Sequence, residues 1–346
     1  MGENEPMSTA TYDPQLIDEI RRRYEVGPRY IEAYLDYWRE TRGCVEPTLA
    51  EIMSRPDPEP LWFDYAMSTN QRARNFLQTV QPQLAKTGGR YLDVGCGFGG
   101  CLVAFAEAGF EVCGIELAPE RVKLSRANCA DAGLGDCVHA LSILESDLPR
   151  RLGTFDAITC LDVIEHVLDV PQTLRNMADL LSPGGVLLLE IPNKDSAAFV
   201  ASDGHFNLFG ITQLSREDSI EYHKAFFDFE YDVGYYHPLR YYVEFLTDLG
   251  LEVTADASPL HPPRAAEGVR GLLGDLSKAQ REFNETRARK LPPWLRRKIN
   301  TGMMRYRVAL IIAGTRRRVG VLTDEQFSMR FRTDFWTLIC KKPNHA

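Results

Sequence analysis

The stretch Tyr91-Leu92-Asp93-Val94-Gly95-Cys96-Gly97-Phe98-Gly99-Gly100 decides the fold. Leu92 and Val94 suit a buried strand that runs into a glycine turn. Gly95, Gly97 and Gly99 accept positive φ and lack a Cβ, so a ligand can lie against backbone there. Leu102, Val103 and Phe105 then open a helix whose first amides point back at the same place. The pattern predicts a nucleotide-type ligand at the carboxyl end of a strand. Gly95-x-Gly97-x-x-Gly100 also fits the dinucleotide fingerprint, a weak signal alone. Asp93 argues against a dinucleotide, because a carboxylate inside the strand repels a pyrophosphate and suits a cationic ligand.

Three further segments follow in order. Glu111-Val112-Cys113-Gly114-Ile115-Glu116-Leu117 reads as a second strand ending in a carboxylate, placed to accept hydrogen bonds from ribose hydroxyls. Phe155-Asp156-Ala157-Ile158-Thr159-Cys160-Leu161-Asp162-Val163-Ile164-Glu165-His166-Val167 reads as a fourth strand and its turn. Leu181-Ser182-Pro183-Gly184-Gly185-Val186-Leu187-Leu188-Leu189-Glu190 reads as a turn and fifth strand. With the first stretch, these resemble class I S-adenosylmethionine-dependent methyltransferases, in the branch related to quinone and glycan O-methylation. The resemblance covers roughly residues 75 to 255 and a last strand near the C-terminus.

The resemblance implies an α/β, Rossmann-like fold: a mostly parallel seven-stranded sheet with a final antiparallel strand. It implies S-adenosyl-L-methionine as cofactor, whose sulfonium and ammonium groups explain Asp93. The cofactor residues it assigns are Asp93, Gly95, Cys96, Gly97, Gly99, Glu116, Leu117, Ser142, Ile143 and Leu161. One place departs from the family. The third strand ends near His139-Ala140-Leu141-Ser142-Ile143-Leu144, with uncharged Ser142 where relatives carry an acidic residue. Adenine would then rest on backbone groups and Ile143. A dehydrogenase is disfavoured by Asp93 and by the expected closing pair of strands.

The chain has 346 residues, 44 % hydrophobic and 25 % charged, an ordinary globular composition. Its acidic start has no apolar h-region, which points to a cytoplasmic protein. The longest apolar run of residues 308–313 is far short of the ~20 a membrane span needs. The eight cysteines form no CxxC pair and read as small core residues, with no Cys/His spacing for structural zinc and no metal site expected.

Residues 1 to about 12 are expected to lack order, and residues 14–53 to form a helical cap broken at Gly27-Pro28, in a leading region 1–70. The cap packs on the core or closes over the ligand, with Trp62, Phe63 and Tyr65 as its apolar wall. The core spans 71–260, and Leu251-Glu252-Val253-Thr254 pairs with a last strand in 334–346. Between them lies an insertion, 261–333. It holds 17 Lys and Arg against 6 Asp and Glu, a net of +11, so the rest of the −8 chain sums to −19. Its basic-apolar part, 285–320, suits peripheral contact with an anionic membrane or a lipid-linked acceptor, or packing on the core or in a homodimer. Nucleic acid is disfavoured, because the acidic remainder repels a long polyanion.

Methylating a hydroxyl benefits from a base, and imidazole titrates in the right range. His205, in the loop after the fifth strand, is the first candidate. His166 beside Glu165 follows, then His223 and His237 in a Tyr-rich segment; His139, His261 and His345 have no special context. The polar-aromatic loop around His205, with Tyr222, Tyr235 and Tyr236, suggests a surface for stacking on sugar or aromatic rings. The acceptor expected is therefore a small molecule: a glycan or lipid-linked saccharide, or else a quinone-type phenol. A cofactor-binding scaffold without turnover is the alternative from another class.

Overall fold

The structure, a computed structural model, describes residues 12–43, 48–56, 58–84, 87–259, 261 and 268–344. The expectations for residues 1–11 and for His345 lie outside these. Seven strands form one sheet: β1 (Gly89–Val94), β2 (Phe110–Glu116), β3 (Val138–Ala140), β4 (Phe155–Leu161), β5 (Leu181–Pro192), β6 (Glu252–Ala257) and β7 (Phe335–Lys341). Their order is β3-β2-β1-β4-β5-β7-β6. Strands β1 to β5 run parallel, and β7 lies antiparallel between β5 and β6. This is the topology the four motifs imply. The order reverses between β1 and β4, so a crevice opens beyond their carboxyl ends.

The cap is helical. Helices Pro14–Tyr24 and Pro28–Arg42 meet at Gly27, and Leu49–Met53 and Glu59–Met67 follow. A Cβ on Gly27 would lie 2.3 Å from the Asp131 side chain. Only glycine lets the chain pass so close, and the Asp131 carboxylate then accepts the amides of Arg29 (3.3 Å) and Tyr30 (2.9 Å). Phe98, in the middle of the glycine turn, is buried in the cap's own core. Its ring meets Tyr30, Tyr34 and Tyr65 at 6.3, 5.9 and 6.4 Å between centroids.

A second core differs from expectation. The insertion folds as helices Val269–Thr286, Pro293–Arg318 and Asp324–Phe331, but it does not pack alone. Leu276, Phe283, Leu295, Met303 and Phe327 share a core with Phe206, Phe209, Tyr222 and Val233. The boundary expected at 260/261 therefore divides no core. Phe206 and Tyr222 are buried here, which removes them as a stacking surface for sugar. The Asn193 side-chain amide donates to the carbonyls of Met329, Arg330 and Thr333 at 3.1, 2.9 and 2.7 Å. Those three bonds tie the carboxyl end of β5 to the chain entering β7.

The seam between the cap and the glycine turn gives a test. A Cβ at Gly100 would lie 2.4 Å from Thr69 Oγ1 and 2.5 Å from the Thr69 carbonyl oxygen. Backbone must shift to admit it, so Gly100→Ala is expected to lose about 1–3 kcal/mol. Urea unfolding measures this, and an unchanged midpoint would refute the tight seam.

Candidate functional site

The glycines of the turn have different jobs. A Cβ on Gly95 (φ +69) would reach Val163 at 2.5 Å, and one on Gly99 (φ +77) would meet Ser125 at 3.1–3.2 Å. Gly97 (φ +52) is different, because its nearest neighbour would be Gly95 O at 3.8 Å. Gly95 and Gly99 serve packing, while Gly97 leaves open the space where a ligand can lie against backbone. The Gly97 amide donates to Glu116 Oε2 at 3.0 Å, and Glu116 Oε1 accepts the amides of Leu117 (2.7 Å) and Ala118 (3.0 Å). Three amides fix the carboxylate, and its spare lone pairs remain for a vicinal diol.

Leu117 beside it is exposed. Cys96 and Ile143 turn their side chains into the core and can offer a ligand only backbone. Near the end of β3 the exposed apolar side chain is Leu144. Ser142 Oγ accepts the Leu144 amide at 3.1 Å, and Glu145 accepts the Ser142 amide at 2.9 Å. Leu161 ends β4 half-buried.

Asp93 is buried and accepts the Thr159 hydroxyl at 2.7 Å. Burial pushes its carboxyl up to about 7; the Thr159 hydroxyl opposes this and the Glu116 charge adds to it. No cation among the described residues contributes to its environment. The open face at Gly97, the anchored Glu116 and a buried carboxyl without a cation fit S-adenosylmethionine, whose ammonium and sulfonium would supply the missing charge.

A second group gathers beyond β4 and β5. Asp162 holds φ +54, uncommon for a residue with a Cβ, and accepts the Tyr65 hydroxyl at 2.9 Å. The Arg72 guanidinium stacks 3.5 Å over the Tyr65 ring, and its Nε is buried with no hydrogen-bond partner among the described residues. Arg72 is thus a further donor that could hold an anionic end of the cofactor. Glu165 is 1 % exposed, and neither carboxylate oxygen has a hydrogen-bond partner among the described residues. Two imidazoles face it instead, His205 Nε2 at 3.6 Å and His166 Nε2 at 3.8 Å. Burial opposes its ionisation, but these rings outweigh burial and hold the carboxyl below its usual value.

His205 answers in kind. Burial works against its charge, yet Glu165, Asp203 and Asp162 push it up to about 9. Asp203 also builds the loop that carries it, accepting the amides of His205, Phe206 and Leu208 at 3.1, 3.0 and 2.6 Å. The His166 ring, 5.2 Å away and edge-on, is aligned through Nδ1 to the Asp232 carbonyl at 3.2 Å. Glu165, His166 and His205 offer donor atoms within 4.8 Å of one another, as do Asp162, Glu190 and His261. Either spacing could admit a cation, a possibility absent from the cysteine spacing; in the first group the proton on His205 already supplies a positive charge.

His223 does not join this group. It is buried among Phe206, Phe227 and Phe229, at 4.5, 4.8 and 5.0 Å between centroids, and burial lowers its pKa. His237 stacks on Tyr241 at 4.1 Å. His261, unremarkable in sequence, has its Nε2 3.7 Å from Glu190, which also accepts the Ser258 hydroxyl. Burial and Arg72 bring His261 down to about 4, while burial and the Asp162 charge raise Glu190. Asp162 and Glu190 lie inside motifs already quoted and were legible as polar residues at strand ends. Arg72 had no such signal, being one arginine in a polar helix.

Residues 66–256, more than half of the chain, match the family described as "Methyltransferase domain". The chain belongs to this methyltransferase-domain family. S-adenosylmethionine is the cofactor of this domain. Among curated relatives, the ubiquinone biosynthesis O-methyltransferase of Xanthomonas axonopodis pv. citri is 39 % identical over 123 residues, covering 36 % of this chain and 51 % of that protein. The protein of the same name from Xanthomonas euvesicatoria pv. vesicatoria is 38 % identical with the same coverage. The chain spans about half the length of the curated relatives it matches. A solved SAM dependent methyltransferase from Archaeoglobus fulgidus aligns over 83 % of this chain and 100 % of its own, at 13 % identity and a TM-score of 0.46.

Asp93 in this methyltransferase domain gives a two-sided test. Its folded value lies above the unfolded 3.8, so ionising it costs stability, a penalty complete above about 7 and absent below 3.8. Asp93→Asn should therefore stabilise the free chain more at about pH 8 than at about pH 5, while weakening S-adenosylhomocysteine binding roughly tenfold or more. Urea unfolding and titration calorimetry read the two effects, and an unaltered affinity would exclude Asp93 from the cofactor site.

Proposed function

We propose that the chain methylates a hydroxyl oxygen on a small acceptor with an aromatic or apolar reacting end, of the quinone-type phenol class. The observation that carries this is Glu165, buried at the carboxyl edge of the sheet and faced by His205 and His166. S-adenosylmethionine, when bound, supplies the electrophilic methyl group. The chain's part is positioning and proton handling.

His166 donates Nδ1–H to the Asp232 carbonyl, which leaves Nε2 as the lone-pair nitrogen, on the side of the ring that faces Glu165. Its side chain is 30 % exposed against 18 % for His205, so it is the ring that meets an acceptor. His166 Nε2 takes the hydroxyl proton. His205, charged and set between Glu165 and Asp203, is better suited to steadying the resulting oxyanion than to accepting a proton. Glu165 orients both rings.

The acceptor class draws support from the surroundings. Gly234 donates its amide to the Glu165 carbonyl at 2.5 Å, which brings exposed Tyr235 beside the His166 turn. Leu168 follows in the same turn, Tyr65 reaches Asp162, and Phe229 meets Trp62 at 6.3 Å; Leu168, Tyr65 and Phe229 are exposed apolar groups. The relatives' name is consistent with a phenolic acceptor. A glycan or lipid-linked saccharide loses Phe206 and Tyr222 as stacking groups, because both are buried. The expected homodimer has no observation in its favour among the described residues.

Mass spectrometry with labelled cofactor and parallel panels of catechol-type phenols and saccharides tests the acceptor. Methylated phenol is expected; methylated saccharide alone, or no product from either panel, would sink the proposal. His166→Gln should cut kcat about 100-fold or more with little change in KM. Turnover should fall as pH rises through about 9, where the His205 imidazolium is lost, and His205→Gln should remove that limb. A rate that climbs through the same range would make His205 the base instead.

A further inference from the structure

The helix Pro293–Arg318 carries eight Lys and Arg and no Asp or Glu in 26 residues. One face, with Leu295, Ile299, Met303, Tyr306, Leu310 and Ala313, is buried in the second core. The opposite face is not the polar surface that a solvated helix presents. Met304, Val308, Ile311 and Ile312 recur there at i, i+4, i+7 and i+8, and are 62, 50, 48 and 53 % exposed. At helical spacing Arg305 and Arg316 flank this stripe on one side, and Arg307 and Arg318 on the other. Lys298 pairs with Asp218 and Arg317 with Asp324, but the four flanking arginines have no ion-pair partner among the described residues.

We propose that this face docks on an anionic lipid bilayer. The apolar stripe enters the boundary between headgroups and acyl chains, while the arginine stems lie along it and their guanidinium groups meet lipid phosphates. The helix lies on the surface, since no helix among the described residues is long and apolar enough to cross a membrane. A second copy of the chain is the competing occupant. A two-fold contact through this stripe would set one wholly basic helix against another, and like charges would face each other unpaired. An anionic surface complements the exposed Arg305, Arg316 and Arg318 at once. The Tyr306 hydroxyl donates to the Asp195 carbonyl at 2.7 Å, three residues past the end of β5. The docking face therefore stands on the edge of the sheet that carries the candidate site. The inference rests on the helix and not on the methyl acceptor, so the two can fail separately.

Flotation of the full chain with phosphatidylcholine vesicles, with and without about a quarter phosphatidylglycerol, tests it. The chain should float with the anionic vesicles and bind them about tenfold less without the anionic lipid or at ~1 M salt. Val308→Asp with Ile312→Asp, and separately Arg305→Gln with Arg316→Gln, should each weaken binding about tenfold or more. All four side chains are exposed, and unchanged S-adenosylhomocysteine affinity reports that the fold is intact. No flotation with anionic vesicles, or equal flotation of the parent and both double variants, overturns the proposal. So does a lipid-free dimer that Val308→Asp with Ile312→Asp converts to monomer.

Discussion

Four carboxyl groups crowd the carboxyl ends of three neighbouring strands: Asp93 in β1, Asp162 and Glu165 beyond β4, and Glu190 in β5. Like charges in a poorly hydrated space cannot all be ionised without partners. The structure divides them. Burial raises Asp93, Asp162 and Glu190, so their protonated forms gain, while Glu165 is kept ionised by two imidazoles. Segments outside the sheet deliver the partners. The cap brings Tyr65, the helix after it brings Arg72, the loop after β5 brings His205, and the chain beyond β6 brings Ser258 and His261. Asp93 is left without a cation of its own, and that is the place where a cationic cofactor has most to offer.

The cap is bound into the same arrangement through Phe98. Its ring sits in the cap's core, with the Arg121 guanidinium 4.2 Å above it, while adjacent Gly97 faces open space. The turn that would touch the cofactor is thus clamped by the helices that pack over it. Binding energy spent on ordering the turn is shared with the cap, and a loosened cap would be felt as weaker cofactor binding.

Local patterns were legible in sequence, and long-range ones were not. The glycine turn, Glu116 and the strand ends follow from period and punctuation, which short windows record, while the β6–β7 pairing came only with the resemblance. Gly27-Pro28 marked the cap break for the same reason. The second core was missed because Phe206 and Phe283 lie far apart in the chain, and an aromatic in a loop looks alike whether buried or exposed. His205 was visible as a histidine, but its charge depends on Glu165 and Asp203 arriving from two other places. Arg72 was invisible, because its meaning lies wholly in the Tyr65 ring beneath it and the acids around it.

The register explains why the basic insertion stands beside the site at all. Phe335 opens β7 opposite Pro192, the last residue of β5, and Trp336 lies opposite Ala257, the last residue of β6. An antiparallel strand between two parallel ones must begin where they end. Any chain inserted between β6 and β7 therefore leaves and re-enters the sheet at its carboxyl edge, where Asp93, Asp162, Glu165 and Glu190 gather. Length added at this point cannot drift to the far edge. It can only build over the site, and here it does so with a core that also holds Phe206, next to His205. The loop that carries His205 and an exposed, basic helix face thus rest on one packed body, fixed in place by the topology that the glycine turn begins.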